Sequence, residues 1–419
     1  MVQNYPDTTK LNTASRLEIG GCDTTELAKE FGTPLYVIDE TTLRQRCKNY
    51  LGAFRKYYPH TDVAYACKAL CVAGVLKTIA SEGLGFDVAS GGELHPVLKA
   101  GGDPEKIYFH GNNKSKAELK MALEAGVGQI VVDNLQELEN LDEVTGQTGK
   151  DACILLRINP GIEAHTHDYI KTGTTDSKFG VPQGEIEAAV KNARSRKKID
   201  LVGFHAHIGS QIFDVQPFVD ETRLLLSLTR KYRTLEMSLG GGFGVPYLPT
   251  DEVPSIDYFA QNIASVLESD GIRLVLEPGR SIISSAGVTL YTIGAVKNIP
   301  EIRKYVFVDG GMSDNPRPIL YQAQYDAKIV TKVEDKNTEK VTVAGRFCES
   351  GDVLIKDIAL PSPQVGDILA VACTGAYNYA MASNYNRVPR PAMVMVNNGQ
   401  AKVLVRRETY DDLIRNDVL

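Results

Sequence analysis

The chain has 419 residues, a formal net charge of −6, 43% hydrophobic residues and 23% charged residues, the make-up of a globular protein long enough for two domains. The mild acidity and the lack of a basic amphipathic face argue against nucleic-acid binding, and no apolar run reaches the roughly 18 residues needed to span a membrane. The 7 cysteines are odd in number and scattered, without a Cys-x-x-Cys pair, which argues against a disulfide framework or a zinc site and fits a reducing cytosol.

The first residues, Val2 to Asp7, are polar and lack the apolar core of a signal peptide, so a cytoplasmic location is expected. Residues 1–34 read as an irregular arm with one short helix over Glu26–Glu30, capped by Thr24 or Thr25 and stopped by Gly32. Pro34–Asp39 reads as a strand and Thr41–Tyr57 as a helix. Strand-like runs then recur at Val63–Lys68, Gly85–Ala89, Ile107–His110, Ile130–Asp133, Cys153–Asn159, Leu201–Ile208, Leu235–Leu239 and Arg273–Glu277. Helical patterns separate them, at Val72–Glu82, Gly92–Ala100, Lys116–Ala125, Leu135–Leu141, Gly184–Ala193, Pro217–Tyr232 and Ile256–Glu268. Eight strands alternating with helices predict a (β/α)8 TIM-type barrel over residues 41–285, ahead of a doubly wound sheet. The loop 161–180, rich in Thr, His and Gly, is expected to be a surface excursion near the site. Beyond Ser285 the pattern is β-rich with little helix, and Asn397-Asn398-Gly399-Gln400 is a hairpin signal. A second, all-β domain is expected over 286–419, joined by residues 1–40.

Nearly every barrel run ends in a polar or glycine-rich cluster, the face on which barrel enzymes build their sites. The first ends at Lys68, which reads either as a lysine snorkelling to solvent or as an amine forming a Schiff base from an apolar setting. Gly240-Gly241-Gly242 follows the seventh run, where barrels commonly bind phosphate, and side-chain-free backbone lets amides approach an anion. Glu277-Pro278-Gly279-Arg280 ends the eighth run. Glu277 either pairs with Arg280 or bonds to the ring nitrogen of a pyridine cofactor, strengthening the ring as an electron sink. His205 and His207 share a strand face; they read as core histidines, as one that stacks on a planar cofactor, or as a metal pair lacking an evident third ligand, and no metal is expected. Asp87 is expected near the imine and Arg157 near a carboxylate. In the β-rich part, Cys348 precedes acids around a Ser-Gly turn, poor core composition that suits a proton donor, and Tyr377 in Gly375-Ala376-Tyr377 could hold a phosphate or a substrate.

Taken together, Tyr65-Ala66-Cys67-Lys68-Ala69, Phe86-Asp87-Val88-Ala89-Ser90, His205-Ala206-His207-Ile208-Gly209-Ser210-Gln211, Gly240-Gly241-Gly242, Glu277-Pro278-Gly279-Arg280, Cys348-Glu349-Ser350-Gly351-Asp352 and Gly375-Ala376-Tyr377 resemble, in order, the fold-type III pyridoxal-phosphate-dependent decarboxylases. The resemblance runs from about residue 30 to 410. It implies that Lys68 holds pyridoxal phosphate, that His207 stacks on its ring, and that Ser210, the three glycines and the Glu277–Arg280 turn cradle it. It implies substrate contacts from Arg280, Arg317, Tyr321, Glu349 and Tyr377, a proton donor in Cys348, and a homodimer whose sites take Cys348 and Glu349 from the partner. Arg317, stiffened by flanking prolines, suits a substrate carboxylate, and Glu349 an ammonium, so a diamino diacid leads the candidate substrates. Ornithine, arginine or carboxynorspermidine is the alternative. A racemase is disfavoured because Glu277 stands where an arginine is expected, and a non-catalytic cofactor carrier because small carriers lack the β domain. Arg346-Phe347 departs from the Pro-containing lead-in expected before Cys348.

Overall fold

The computed structural model describes residues 4–162, 177–267 and 271–418. The chain divides into two compact units: one of Arg46–Gly244 with Val253–Ser281, and one of Met1–Gln45, Val245–Glu252 and Ile282–Leu419. Among the described residues no helix is long and apolar enough to cross a membrane.

The first unit is a closed barrel of eight parallel strands: Thr61–Ala66, Gly85–Val88, Ile107–Phe109, Gln129–Val132, Ala152–Arg157, Ile199–His205, Glu236–Ser238 and Arg273–Leu276. Each pairs with the next, and the eighth closes on the first through Leu274 opposite Thr61. The runs read from sequence extend one to three residues beyond the strands at their C-terminal ends. Lys68, His110, Asp133, Asn159 and His207 lie just past the strands. Buried Ala64, Tyr108, Val131, Leu155 and Val275 form an apolar layer inside the barrel. Tyr108 also donates to the buried Glu236 carboxylate at 2.7 Å, and Arg273 pairs with the same group, so the acid inside the barrel is satisfied. Helices start at side-chain caps the sequence carries: Ser90 before Gly91–Lys99, Asn134 before Leu135–Thr148, and Ser115, which forms a full capping box with Glu118. The expected excursion at 161–180 lies largely outside the described residues.

The second unit is a nine-stranded sheet. Its longest strand, Gly287–Ile299, pairs along its length with Arg303–Val308, Ile368–Val371 and Leu35–Asp39. Leu35–Asp39 also runs parallel to Ala392–Asn397, so an N-terminal strand is an interior member of this sheet. The hairpin joining Ala392–Asn397 to Gln400–Val405 has positive φ at both Asn398 and Gly399, as a two-residue turn matching strand twist requires. The strand Val353–Pro361 is not among those read from sequence. Its run mixes Lys356 and Asp357 into apolar residues and is partly exposed. The first helix is Thr24–Phe31, capped by Asp23 rather than by either threonine. The core of this unit is rich in β-branched, aromatic and leucine side chains, including Val288, Leu290, Tyr291, Val306, Val343, Leu369 and Val394.

Candidate active site

Polar side chains from all eight strand ends collect at one mouth of the barrel. Lys68 sits on a short 3-10 turn, Cys67–Ala69, that follows the first strand. The turn buries Cys67 and Ala69 and leaves Lys68 exposed, so the expected lysine in an apolar wall is instead a lysine presented on a turn. Its charge acts on neighbouring groups. Burial raises the pKa of Asp87, while the cationic character of His110, then Lys68, opposes that rise. For His207, burial and then the Lys68 charge disfavour protonation. Arg157 lies beside Asp133, its Nε 3.8 Å from that carboxylate, and its guanidinium stacks 4.4 Å from the Phe179 ring centroid.

Glu277 is 3% exposed, and its carboxylate is the most heavily engaged group at this mouth. Ser238 Oγ donates to Oε1 at 2.7 Å, and the Nε2 atoms of His205 and His110 each lie 3.2 Å from Oε2. Burial alone would raise the Glu277 pKa. The histidines and their hydrogen bonds outweigh it and hold the group well below the usual carboxylate range. Sequence reasoning left Glu277 with Arg280 or a ring nitrogen as partner. It missed Ser238, on the strand paired beside that of Glu277, and His110, whose strand comes near that of Glu277 only in the closed barrel. It also expected no third ligand beside the histidines. One nitrogen each of His110 and His205 and an oxygen of Glu277 lie within 4.8 Å of one another.

The glycine loop is shaped by what cannot fit. A Cβ on Gly241 would lie 2.4 Å from the Glu277 carbonyl oxygen, and one on Gly242, at φ +107, would lie 2.5 Å from that of Gly209. Gly240 takes φ +62, where its own Cβ would press on His207 Nδ1 at 2.8 Å. The next turn is equally tight: Pro278 accepts from Ala66 N, and a Cβ on Gly279 would meet Ala66 O at 2.9 Å. Arg280 is buried, and its Nε and one terminal nitrogen both donate to Ser210 Oγ, at 3.2 and 3.0 Å. Gln211 beside them holds φ +62, a strained value typical of functional loops.

The remaining candidates lie in the β-rich unit. Arg317 opens the short helix Arg317–Tyr321, is 6% exposed, donates to Tyr325 at 2.8 Å and sits 4.8 Å from the Tyr247 ring centroid. Tyr321 ends that helix and is half-buried. Cys348 and Glu349 are exposed, on a turn fixed by Asp352. Asp352 accepts from Phe347 N at 2.9 Å and Met312 N at 2.7 Å, while its own amide donates to Glu349 O at 3.0 Å. Arg346-Phe347 therefore needs no proline, because the carboxylate four residues past Cys348 sets the turn. That role of Asp352 was legible only as the last letter of a motif. Tyr377, partly buried, holds φ +63.

A sequence pattern described as the pyridoxal binding domain of pyridoxal-dependent decarboxylases matches residues 41–284. The chain belongs to the pyridoxal-dependent decarboxylase family. Two relatives within it are diaminopimelate decarboxylases. That of Synechocystis sp. is 48% identical over 99% of this chain and 92% of its own length, and that of Bacillus subtilis is 46% identical over 98% and 97%. A crystal structure of diaminopimelate decarboxylase from M. jannaschii in complex with L-lysine superimposes with a TM-score of 0.93 at 35% identity, covering 100% of this chain and 99% of that one.

The residues of this pyridoxal-dependent decarboxylase fit its cofactor. Lys68 offers an accessible amine, the glycine loop a side-chain-free approach for a phosphate, and Glu277 an ionised acceptor for a ring nitrogen. One consequence is testable. In Gly241→Ala the new methyl meets backbone that cannot yield cheaply, so pyridoxal phosphate affinity should fall about tenfold or more by equilibrium dialysis. Gly146→Ala, where an added Cβ meets nothing within 4 Å, should leave affinity unchanged. Equal affinities in the two variants would refute the cradle.

Proposed function

We propose that this decarboxylase converts meso-2,6-diaminopimelate to L-lysine and carbon dioxide, the last step of lysine synthesis, as a homodimer. The reaction class is carried by Glu277, a buried carboxylate held ionised at the barrel mouth above the glycine loop. The substrate reading is supported by near-full-length relatives at 41–48% identity that are diaminopimelate decarboxylases.

Bound pyridoxal phosphate supplies an electron sink for the pair left on the α-carbon when the carboxylate departs. This chain's residues do the rest. Lys68 is the covalent attachment point and returns to it as product leaves. The glycines 240–242, Ser210 and the Gly279-Arg280 end of the turn would hold the phosphate end, with Asp87 near the attachment point and His207 against the ring. Glu277 keeps the proton on the ring nitrogen, which strengthens the sink. Arg317 takes the distal carboxylate in a bidentate pair, Glu349 the distal ammonium, and Arg280, Tyr321 and Tyr377 orient the reacting end. The Cys348 thiol carries the proton delivered to the α-carbon.

The exposure of Cys348 and Glu349 on a rigid turn suits side chains that complete a site on a second copy. Cys348→Ala should lose most turnover while keeping cofactor. When it is mixed with inactive Lys68→Ala, random subunit exchange should restore activity up to roughly a quarter of wild type, because half the dimers are hybrids with one intact site of two. No recovery after verified exchange would place each site within one chain. Carbon dioxide release from a panel of diamino acids tests the substrate, and a preference for ornithine would support the alternative.

A further inference from the structure

We propose that His205 and Ser238 are positioning residues that hold Glu277 ionised and aimed at the ring nitrogen, so that the electron sink depends on donors that never touch the cofactor. This rests on the reading of Glu277 as the ring-nitrogen partner. Ser238 is the last residue of the seventh barrel strand and fully buried, and its Oγ accepts from Gly240 N at 3.2 Å. The hydroxyl has a single hydrogen, which goes to Glu277 Oε1 at 2.7 Å. One serine thus ties the first glycine of the loop to the ring-nitrogen acid.

His205 ends the sixth strand, 1% exposed, with Nε2 3.2 Å from Glu277 Oε2. Burial pushes its pKa down to about 4, so at neutral pH it is an uncharged imidazole. A carboxylate only accepts, so the hydrogen is on Nε2 and points at Glu277. Nδ1 of the same ring is buried without a hydrogen-bond partner, as suits the unprotonated nitrogen. His110 Nε2 comes equally near Oε2, but off the line of a hydrogen bond; it lies 3.8 Å from Asp87, and its ring crosses that of His205 at 67°.

The two donors decide where a proton resides. Without them, burial pushes a carboxylate 3% exposed towards its neutral form, with His110 left to oppose it. A neutral Glu277 cannot keep the ring nitrogen protonated. The pairing that sets strands six, seven and eight side by side is therefore what tunes this acid.

The test uses the full chain stripped of cofactor and titrated, by quenching of protein fluorescence, with pyridoxal phosphate or with the analogue whose ring nitrogen is replaced by carbon. Wild type should bind pyridoxal phosphate about tenfold or more tighter than the analogue, the size of a hydrogen bond to a charged group. His205→Leu and Ser238→Ala should each bring that ratio towards one with analogue affinity unchanged, and His205→Gln, which retains a donor, should preserve most of it. Retention of the wild-type ratio in both donor-less variants, when Glu277→Ala has lost it, overturns the positioning role alone. A parallel loss of affinity for both ligands overturns it in favour of a packing role. A wild-type ratio near one, matched by Glu277→Ala, overturns the ring-nitrogen reading itself and this proposal with it.

Discussion

Lys68→Ala should abolish covalent attachment of pyridoxal phosphate and lower turnover by at least about a thousandfold. The reason is positional. Lys68 is the one barrel-strand-end lysine whose charge reaches both Asp87 and His207. Lys114, a further lysine near that face, is committed elsewhere: it is buried, pairs with Glu137 at 2.6 Å and donates to the carbonyl oxygens of Gly111 and Val131. Moving it to the cofactor would leave a buried carboxylate without its counter-charge. The measurement is borohydride reduction of the loaded protein followed by peptide mass spectrometry. Wild type should carry the cofactor mass on the peptide containing residue 68, and the variant on none. A reducible adduct on another lysine would remove Lys68 from its role.

Arg317→Ala should lower kcat/KM for diaminopimelate at least about a hundredfold, the cost of stripping one partner from a desolvated charge pair. Arg317 is well suited to this because it is already desolvated and preorganised. Its guanidinium is pinned by the Tyr325 hydroxyl and lies against the rings of Tyr247 and Tyr325. The pKa is raised despite burial, through the two tyrosines, so the charge persists at any working pH. The same packing means the variant also leaves a cavity and deprives Tyr325 of a partner, so a fall in melting temperature of several degrees is expected. Two readouts separate binding from packing. The preference for diaminopimelate over ornithine should collapse, and Arg317→Lys should recover charge but not bidentate geometry, giving an intermediate preference. An unchanged preference in a destabilised variant would assign Arg317 to packing only.

The sequence by itself determined the architecture, because its signals are local or periodic. Runs of period two or continuous apolarity, separated by helical patterns, marked all eight barrel strands, and a side chain's alternation is set within its own strand. Motif residues such as Lys68, the three glycines and Glu277 were legible because each lies at a strand end, where register alone places it on one face. Asn398-Gly399 announced its hairpin because only such residues take positive φ cheaply. The tertiary structure decided the partners. Ser238, His205 and His110 meet Glu277 across gaps of 39, 72 and 167 positions; strand pairing sets Ser238 alongside, and only closure of the barrel brings His110 of the third strand within reach. It also decided that Asp23 caps the first helix, that Asp352 rather than a proline sets the Cys348 turn, and that Leu35–Asp39 is an interior strand of the β-rich sheet. Each of these outcomes is a competition between hydrogen-bond partners. Composition and period state which groups need partners, and only the folded chain determines which ones they obtain.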